Sequence, residues 1–333
     1  MIGTPPRYEA LPRLGAMGAS WGVWGPGDRL GCLNLLTPER AKAASACIRT
    51  GKVFPLDLPM TVPDPPVLDR RPFTHEVRRE PGIGDVDHFE DDILSDWNTQ
   101  RSSQWDGFRH VSRSGYGCYG GLPGDAHGMH VWSAHGIVGR SVLLDVSSWR
   151  RSIGRPINHR EPDVISAADL VACLSHQGRS IETGDILLIR TGWLAWYQGL
   201  SGAERDALGD GDSFVSAGLG SSEEMAELLW NLHVSAVATD NPAVESWPPR
   251  PSENGEVHLL HTRLLSMLGL PIGEMFGLEG LGNEGRKAPC RSRKRESVGS
   301  RRTRSPSLTR PGRVRLRSTN GSRSRCRARC FGT

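Results

Sequence analysis

Hydrophobic and polar positions along this chain follow two patterns, one typical of buried strands and one typical of helices. Continuous apolar runs predict strands at residues 53–58, 136–146, 184–193 and 234–240, and apolar positions with a helical period predict helices at residues 38–48, 165–174, 223–232 and 261–268. Thr37 and Ser166 precede two of these helices and are residue types that cap helix N-termini, while Gly269 is typical of the residue after a helix. Because helices and strands alternate with short connections, the pattern predicts an α/β or α+β protein with a central mixed sheet.

Three segments lack these patterns. Residues 1–20 show no periodicity and are predicted to form an N-terminal arm in extended conformation. Residues 61–99 are rich in Pro, Asp and Arg and predict a long surface excursion of the kind used for lids and binding loops, with Trp97 as an anchor. Residues 286–333 are dominated by Arg, Ser, Pro and Gly, which predicts a disordered tail. The sequence thus predicts a single folded domain over residues 21–285.

The charge of the chain is divided between this domain and the tail. Residues 286–333 hold 17 of the 41 basic residues and one of the 37 acidic ones, so the tail carries about +16 and residues 1–285 about −12. A basic tail of this kind is consistent with binding to nucleic acid or another anionic surface. Out-of-frame reading of GC-rich coding DNA would produce the same composition. The abrupt shift favours the second explanation, so we do not expect a nucleic-acid partner.

Cysteine usage and hydropathy indicate the compartment. The seven cysteines form no C-x-x-C pair and are scattered, which suits a reducing compartment better than a disulfide framework. No apolar run approaches the roughly 18–20 residues of a membrane span, and the N-terminus lacks the apolar core of a signal peptide. The sequence therefore predicts a cytoplasmic protein without a membrane partner.

The candidate chemistry is concentrated in residues 100–110. Gln100, Gln104, Asp106 and His110 place amide, carboxylate and imidazole groups close together in sequence, and a turn of the backbone would let them converge. A Gly- and Tyr-rich loop follows at residues 115–121. From the residues alone, a solvated loop in which Asp106 caps a short helix explains the pattern equally well.

The spacing of these four residues resembles the hallmark H-x-G-T-H-x-D-x-x-x-H of the cyclase family, which includes bacterial kynurenine formamidase (arylformamidase) and isatin hydrolase. The chain is most similar to a branch of that family with Gln in place of the first two His. Further resemblances occur in the same order at residues 21–39, 138–145, 184–193, 240–245 and 261–274, so the similarity covers roughly residues 20–282.

The resemblance implies a single swivelling β/β/α domain with a central mixed sheet and metal-assisted hydrolysis of an amide, with arylformamidase of tryptophan catabolism as the named activity. It implies Asp106 as a metal ligand, Gln100 and Gln104 at two ligand positions, and His110 as the acid/base. His261, with His258 as a rival, and Glu274 would be the downstream ligands.

The two glutamines change the expected metal. Amide oxygen is a weaker ligand for Zn than imidazole, so Mn or Mg is favoured. Two further possibilities stay open, a metal bound only by the downstream ligands and a site without metal. The implied partners are a small-molecule amide and further copies of the chain in a homo-oligomer. A non-catalytic relative that only binds a small molecule is the main alternative. The candidate substrate-pocket residues are Trp105, Tyr116, Tyr119, Asp240 and Glu245.

Overall fold

A five-stranded mixed sheet lies at the centre of the computed structural model, which describes residues 3–209, 211–251 and 255–287. The strands in chain order are β1 (Arg13–Leu14), β2 (Met17–Gly18), β3 (Thr74–Pro81), β4 (His88–Ser95), β5 (Gln104–Asp106), β6 (Ser141–Asp145), β7 (Val164–Ile165), β8 (Ile186–Arg190), β9 (Gly218–Leu219), β10 (Ala236–Thr239) and β11 (Ile272–Glu274). The α-helices are α1 (Pro38–Ala44), α2 (His130–His135), α3 (Val146–Ser152), α4 (Ala167–His176), α5 (Trp193–Gln198), α6 (Gly202–Leu208), α7 (Glu223–Asn231) and α8 (Glu279–Lys287).

The central sheet has the order β5-β11-β10-β8-β6. Strands β6, β8, β10 and β11 run parallel, and β5 pairs antiparallel with β11 at one edge. Every residue of β8 and β10 is buried, which explains why both appear in the sequence as continuous apolar runs. The α/β class with a central mixed sheet is therefore confirmed, and three of the four predicted strands contain β6, β8 and β10.

The predicted helices form where their capping residues indicate. The Ser166 hydroxyl accepts a hydrogen bond from the backbone N–H of Asp169, and the Asp169 carboxylate accepts one from the backbone N–H of Ser166 at the start of α4. The Thr37 hydroxyl caps α1 by accepting from the N–H of Arg40. The segment predicted as a helix at residues 261–268 is a π-helix over Thr262–Met267, and Gly269 follows it with a φ of 57°.

The structure differs from the predictions for residues 53–58 and 61–99. Residues 53–58 form no strand: Val53 is 82% exposed, and the Leu56 carbonyl accepts from the N–H of Gly277 rather than from a neighbouring strand. Residues 61–99, predicted to lack secondary structure, contain the antiparallel hairpin β3–β4. All eight residues of β3 are exposed, so this hairpin shows no hydrophobic alternation that could predict it.

Residues 3–20 pack against the domain more closely than an extended arm would. Tyr8 and Leu11 are buried in the main hydrophobic core, and the N–H of Tyr8 donates to the side-chain oxygen of Asn231. At the other end, α8 runs through Lys287, two residues into the segment assigned to the tail. The rest of the predicted tail lies outside the described residues. Within the described ranges, no helix is long and apolar enough to cross a bilayer.

Candidate active site

A cavity of about 300 Å³ opens beside the edge of the sheet formed by β5 and β11. Its polar wall is formed by His110, His261, Glu245, Glu274 and Arg70. Its apolar wall is formed by Leu68, Val111, Pro242, Trp247 and Leu259. The cavity therefore combines titratable groups with apolar surface, as small-molecule sites do.

Strand pairing places the carboxylates of the site. Glu274 lies directly opposite Gln104 in the β5–β11 register, and Asp106 follows Gln104 by two residues. Because alternate residues of a strand project from the same face, Asp106, Gln104 and Glu274 share one face of the sheet. Asp106 is completely buried, and neither of its carboxylate oxygens has a hydrogen-bond partner among the described residues.

His261 is brought to these carboxylates by the start of the π-helix. Its Nε2 lies 3.2 Å from Oε1 of Glu274 and 3.6 Å from Oδ2 of Asp106. Its Nδ1 lies 3.1 Å from Oε2 of Glu245, which also accepts from the backbone N–H of His261 at 2.9 Å. Glu245 thus fixes both the backbone and the ring of His261. The rival His258 instead faces Glu256 with a half-exposed side chain.

Burial and mutual charge determine the protonation of this cluster. Burial alone would lower the pKa of His261, but Glu245, Asp106 and Glu274 raise it well above its ordinary value. Burial raises the pKa of the Glu274 carboxyl to about 7, and the nearby Asp106 charge adds to the effect. For Asp106, burial would raise the pKa of the carboxyl, but the close approach of His261 and the charges of His110 and Arg70 outweigh burial and lower it. The cluster therefore carries net negative charge around an imidazolium.

His110 stands at the side of the cluster that faces the cavity. Its Nε2 lies 4.0 Å from Oδ2 of Asp106, and its side chain is 30% exposed. Burial lowers the pKa of His110, and the positive His261 lowers it further against the opposing effect of Asp106. A neutral imidazole with access to the cavity can take up and release a proton.

The donor set fits a divalent cation. Asp106, His110 and His261 each offer a ligand atom within 4.8 Å of the others. The buried Oε1 atoms of Gln104 and Glu245, like both oxygens of Asp106, lack a hydrogen-bond partner among the described residues. Buried oxygens without partners are costly unless a ligand satisfies them, so this cluster has the chemistry expected of a metal site.

The two glutamines do not share one role. Gln104 points into the cluster and donates from Nε2 to Oε2 of Glu274 at 2.6 Å. Gln100 lies in a 3₁₀ turn, and its side-chain oxygen accepts a hydrogen bond from the Thr99 hydroxyl. The residue lines a separate surface depression. The structure therefore leaves Gln100 outside the cluster, because the turn at Thr99–Arg101 directs its side chain away from β5.

Of the five candidate pocket residues, only Glu245 lines the cavity. Trp105 projects from the opposite face of β5 and packs edge-on against Phe276, with ring centroids 5.0 Å apart. Tyr119 is buried in the core beside Phe108, and Asp240 accepts three hydrogen bonds from Thr191 and Gly192. Tyr116 is exposed and packs under the guanidinium of Arg113.

Arg70 also lines the cavity, although no sequence pattern predicted it. Its Nη1 donates to the backbone carbonyl of Gln100 and lies 3.9 Å from Oε2 of Glu274. The residue before it, Asp69, has a φ of 55°, and Val244 before Glu245 and Met275 after Glu274 have φ values of 53° and 58°. Non-glycine residues in this conformation cost about 1–2 kcal/mol each and concentrate at functional sites. No sequence pattern marks them.

A family model and three solved structures show similarity to this chain. Residues 56–246 match the family model "Cyclase", described as "Putative cyclase". A crystal structure described as that of a novel cyclase has 30% sequence identity and a TM-score of 0.66, covering 81% of this chain and 90% of the other. Isatin hydrolase A from Ralstonia solanacearum has 18% identity and a TM-score of 0.45, covering 72% and 85%. An isatin hydrolase bound to the product analogue thioisatinate has 13% identity and a TM-score of 0.38, covering 61% and 68%. No curated protein gives a significant match.

Proposed function

This chain belongs to the Cyclase family, and from that premise we propose that it is a metal-assisted amide hydrolase acting on a formamide or a cyclic amide, with arylformamidase-like activity. The observation that carries the proposal is the Asp106 carboxylate. It is fully buried, its two oxygens have no hydrogen-bond partner among the described residues, and two histidines stand within 4.0 Å of Oδ2. Such a carboxylate is poised to bind a cation at the end of a small-molecule cavity.

Asp106 and His261 would hold the cation, and the free side-chain oxygen of Gln104 is a further donor. When bound, a divalent cation supplies Lewis acidity, which polarises a carbonyl and makes water a stronger acid. Glu245 holds Nδ1 of His261, so the ring presents Nε2 towards Asp106. This arrangement of carboxylate and histidine orients the ligand ring and increases its basicity.

His110 would handle the protons of the reaction. As a neutral base it takes a proton from the attacking water, whose oxygen forms a bond to the carbonyl carbon. The π electrons of the carbonyl move to its oxygen and return when the carbon–nitrogen bond breaks. His110 then gives the proton to the departing nitrogen, so that the amide and water become a carboxylic acid and an amine. The partial exposure of His110 towards the cavity supports this role.

The apolar wall supports an aromatic substrate. Trp247, Leu259 and Pro242 offer a hydrophobic surface beside the polar cluster, in a cavity of about 300 Å³. A space of this size suits one aromatic ring with a short amide substituent. The polar cluster would then meet the amide while the ring packs against the apolar residues.

The test is turnover on metal-defined protein. The chain would be stripped with a chelator, loaded separately with Mn²⁺, Mg²⁺ or Zn²⁺, and assayed on a panel of aryl formamides and aryl lactams. We expect hydrolysis of at least one member with Mn²⁺ or Mg²⁺. Absence of turnover with all three metals would contradict the proposal.

The contact between Gln104 and Glu274 favours a second candidate, a non-catalytic protein that binds a small molecule. The amide nitrogen of Gln104 donates to Glu274 at 2.6 Å and thereby occupies a carboxylate oxygen that could otherwise bind metal. Calorimetric binding of an aryl amide without any turnover in the same panel would support this candidate over the hydrolase.

A further inference from the structure

Arg70 is the cationic residue of the cavity wall that the mechanism above leaves without a role. Among the described residues that line the cavity, it is the sole arginine or lysine. Its side chain is only 14% exposed, and its Nη1 lies 3.9 Å from Oε2 of Glu274. Arg70 therefore lies beside the reacting groups and not at the outer rim.

The guanidinium is held by one nitrogen and leaves the others available. Nη1 donates to the Gln100 carbonyl and faces Glu274. Among the described residues, Nε and Nη2 donate no hydrogen bond. A guanidinium presents its donors as a rigid planar fork, so anchoring one nitrogen also fixes the direction of the rest.

The backbone aims Arg70 at the cavity. Leu68 and Asp69 are consecutive non-glycine residues with φ values of 57° and 55°. Two consecutive residues in this conformation are the kind of local strain that is found where a backbone must present a side chain in one direction.

The charge of the cluster indicates which kind of group Arg70 meets. Apart from the imidazolium of His261 and a cation bound there, Asp106, Glu245 and Glu274 make the polar end of the cavity negative. A neutral amide can enter, and it becomes negative only when water adds and the carbonyl electrons move to oxygen. A fixed cation beside that oxygen favours the transition state over the bound substrate.

We propose that Arg70 is a further catalytic residue that hydrogen-bonds the oxyanion formed when water adds to the amide carbonyl. This inference rests on the proposed amide hydrolase function. Arg70 transfers no proton: it stays a guanidinium while the oxyanion forms and collapses. Asp69, on the rim, is exposed and screened by solvent, so it does not neutralise Arg70.

Arg70→Ala in the full chain tests the kinetic consequence. Loss of an oxyanion donor typically lowers kcat by about 100- to 1,000-fold, and we expect KM to change by less than about threefold. Added guanidinium should restore part of kcat, whereas sodium at equal ionic strength should not. Arg70→Lys should keep more activity than Arg70→Ala. Arg71→Ala is the matched control, because its exposed neighbouring side chain lies outside the cavity, and should behave as wild type.

Binding of stable analogues separates this inference from the proposed function. Phenylphosphonate mimics a tetrahedral anion and benzamide a neutral amide. Calorimetry should show phenylphosphonate binding at least about tenfold weaker in Arg70→Ala, with benzamide binding within twofold. If the wild type hydrolyses no amide, the hydrolase proposal fails, and the phosphonate result then decides only whether Arg70 binds a tetrahedral anion. Unchanged phosphonate binding, unchanged kcat, or loss of bound metal from Arg70→Ala and Arg70→Lys would each overturn the inference.

Discussion

Replacing Glu245 with Gln tests the idea that this residue orients the metal-binding face of His261. Oε2 of Glu245 accepts from the His261 backbone N–H at 2.9 Å and lies 3.1 Å from Nδ1, and the residue is completely buried. Glutamine keeps the shape but removes the charge that favours a proton on Nδ1. Losing such a contact typically weakens metal binding by 10- to 100-fold, or about 1.4–2.7 kcal/mol.

The assay is competition for Mn²⁺ between the protein and a chelating dye, with urea unfolding measured in parallel. Glu256→Gln is the matched control, because Glu256 lies at the same 3.1 Å from Nε2 of His258 but is 61% exposed and outside the cavity. We expect its affinity for Mn²⁺ to match wild type. If Glu245→Gln remains folded and binds Mn²⁺ within twofold of wild type, the orienting role is refuted.

Two further predictions concern residues of the site or next to it, and a third concerns a buried histidine outside the cavity wall. His110→Ala should lower kcat by about 100- to 10,000-fold with folding retained, and near-normal turnover would refute its role in proton transfer. Gln104→His should raise the affinity for Zn²⁺ in the dye competition, whereas Gln100→His should not, because the side chain of residue 100 lies outside the cluster. An equal gain in affinity from both substitutions would contradict the structure. Burial lowers the pKa of His159 to about 4 in the folded protein, so between this pH and about 6.5 the unfolded chain binds more protons than the folded one. The free energy of unfolding should therefore fall as the pH drops from about 6.5 to about 4, by up to about 3 kcal/mol. In His159→Gln, urea unfolding at a series of pH values should show a smaller fall in the free energy of unfolding over this range. An unchanged dependence on pH would refute the role of His159.

The elements that could be predicted from sequence are those whose local signals and burial agree. Strand β8 is apolar throughout because both faces are covered, and α4 carries a complete capping box at Ser166. Residues 53–58 are also mostly apolar, yet Val53 faces solvent and Pro55 has no N–H to donate to a neighbouring strand. Strand pairing depends on the tertiary structure, so a short apolar run cannot by itself predict it.

For the candidate site, the resemblance to the cyclase family implied Asp106, His110, His261 and Glu274, whereas spacing alone left Asp106 equally open to a role as a helix cap. The structure brings these four side chains together beside the cavity. The outward direction of Gln100 depends on a 3₁₀ turn that its spacing from Gln104 does not reveal. The contact of Glu245 with His261 and the position of Arg70 depend on loops that approach the sheet from far along the chain.

The strained residues show what links these distant loops. Asp69, Val244 and Met275 lie in separate segments, yet each adjoins a residue of the polar cavity wall: Arg70, Glu245 or Glu274. None is a glycine, so each left-handed conformation costs about 1–2 kcal/mol that the surrounding packing must offset. A fold selected only for stability would relieve such strain with glycine. Asp96 and His233 share this conformation outside the cavity wall, but at Asp69, Val244 and Met275 the strain adjoins that wall and favours one direction for the Arg70, Glu245 and Glu274 side chains.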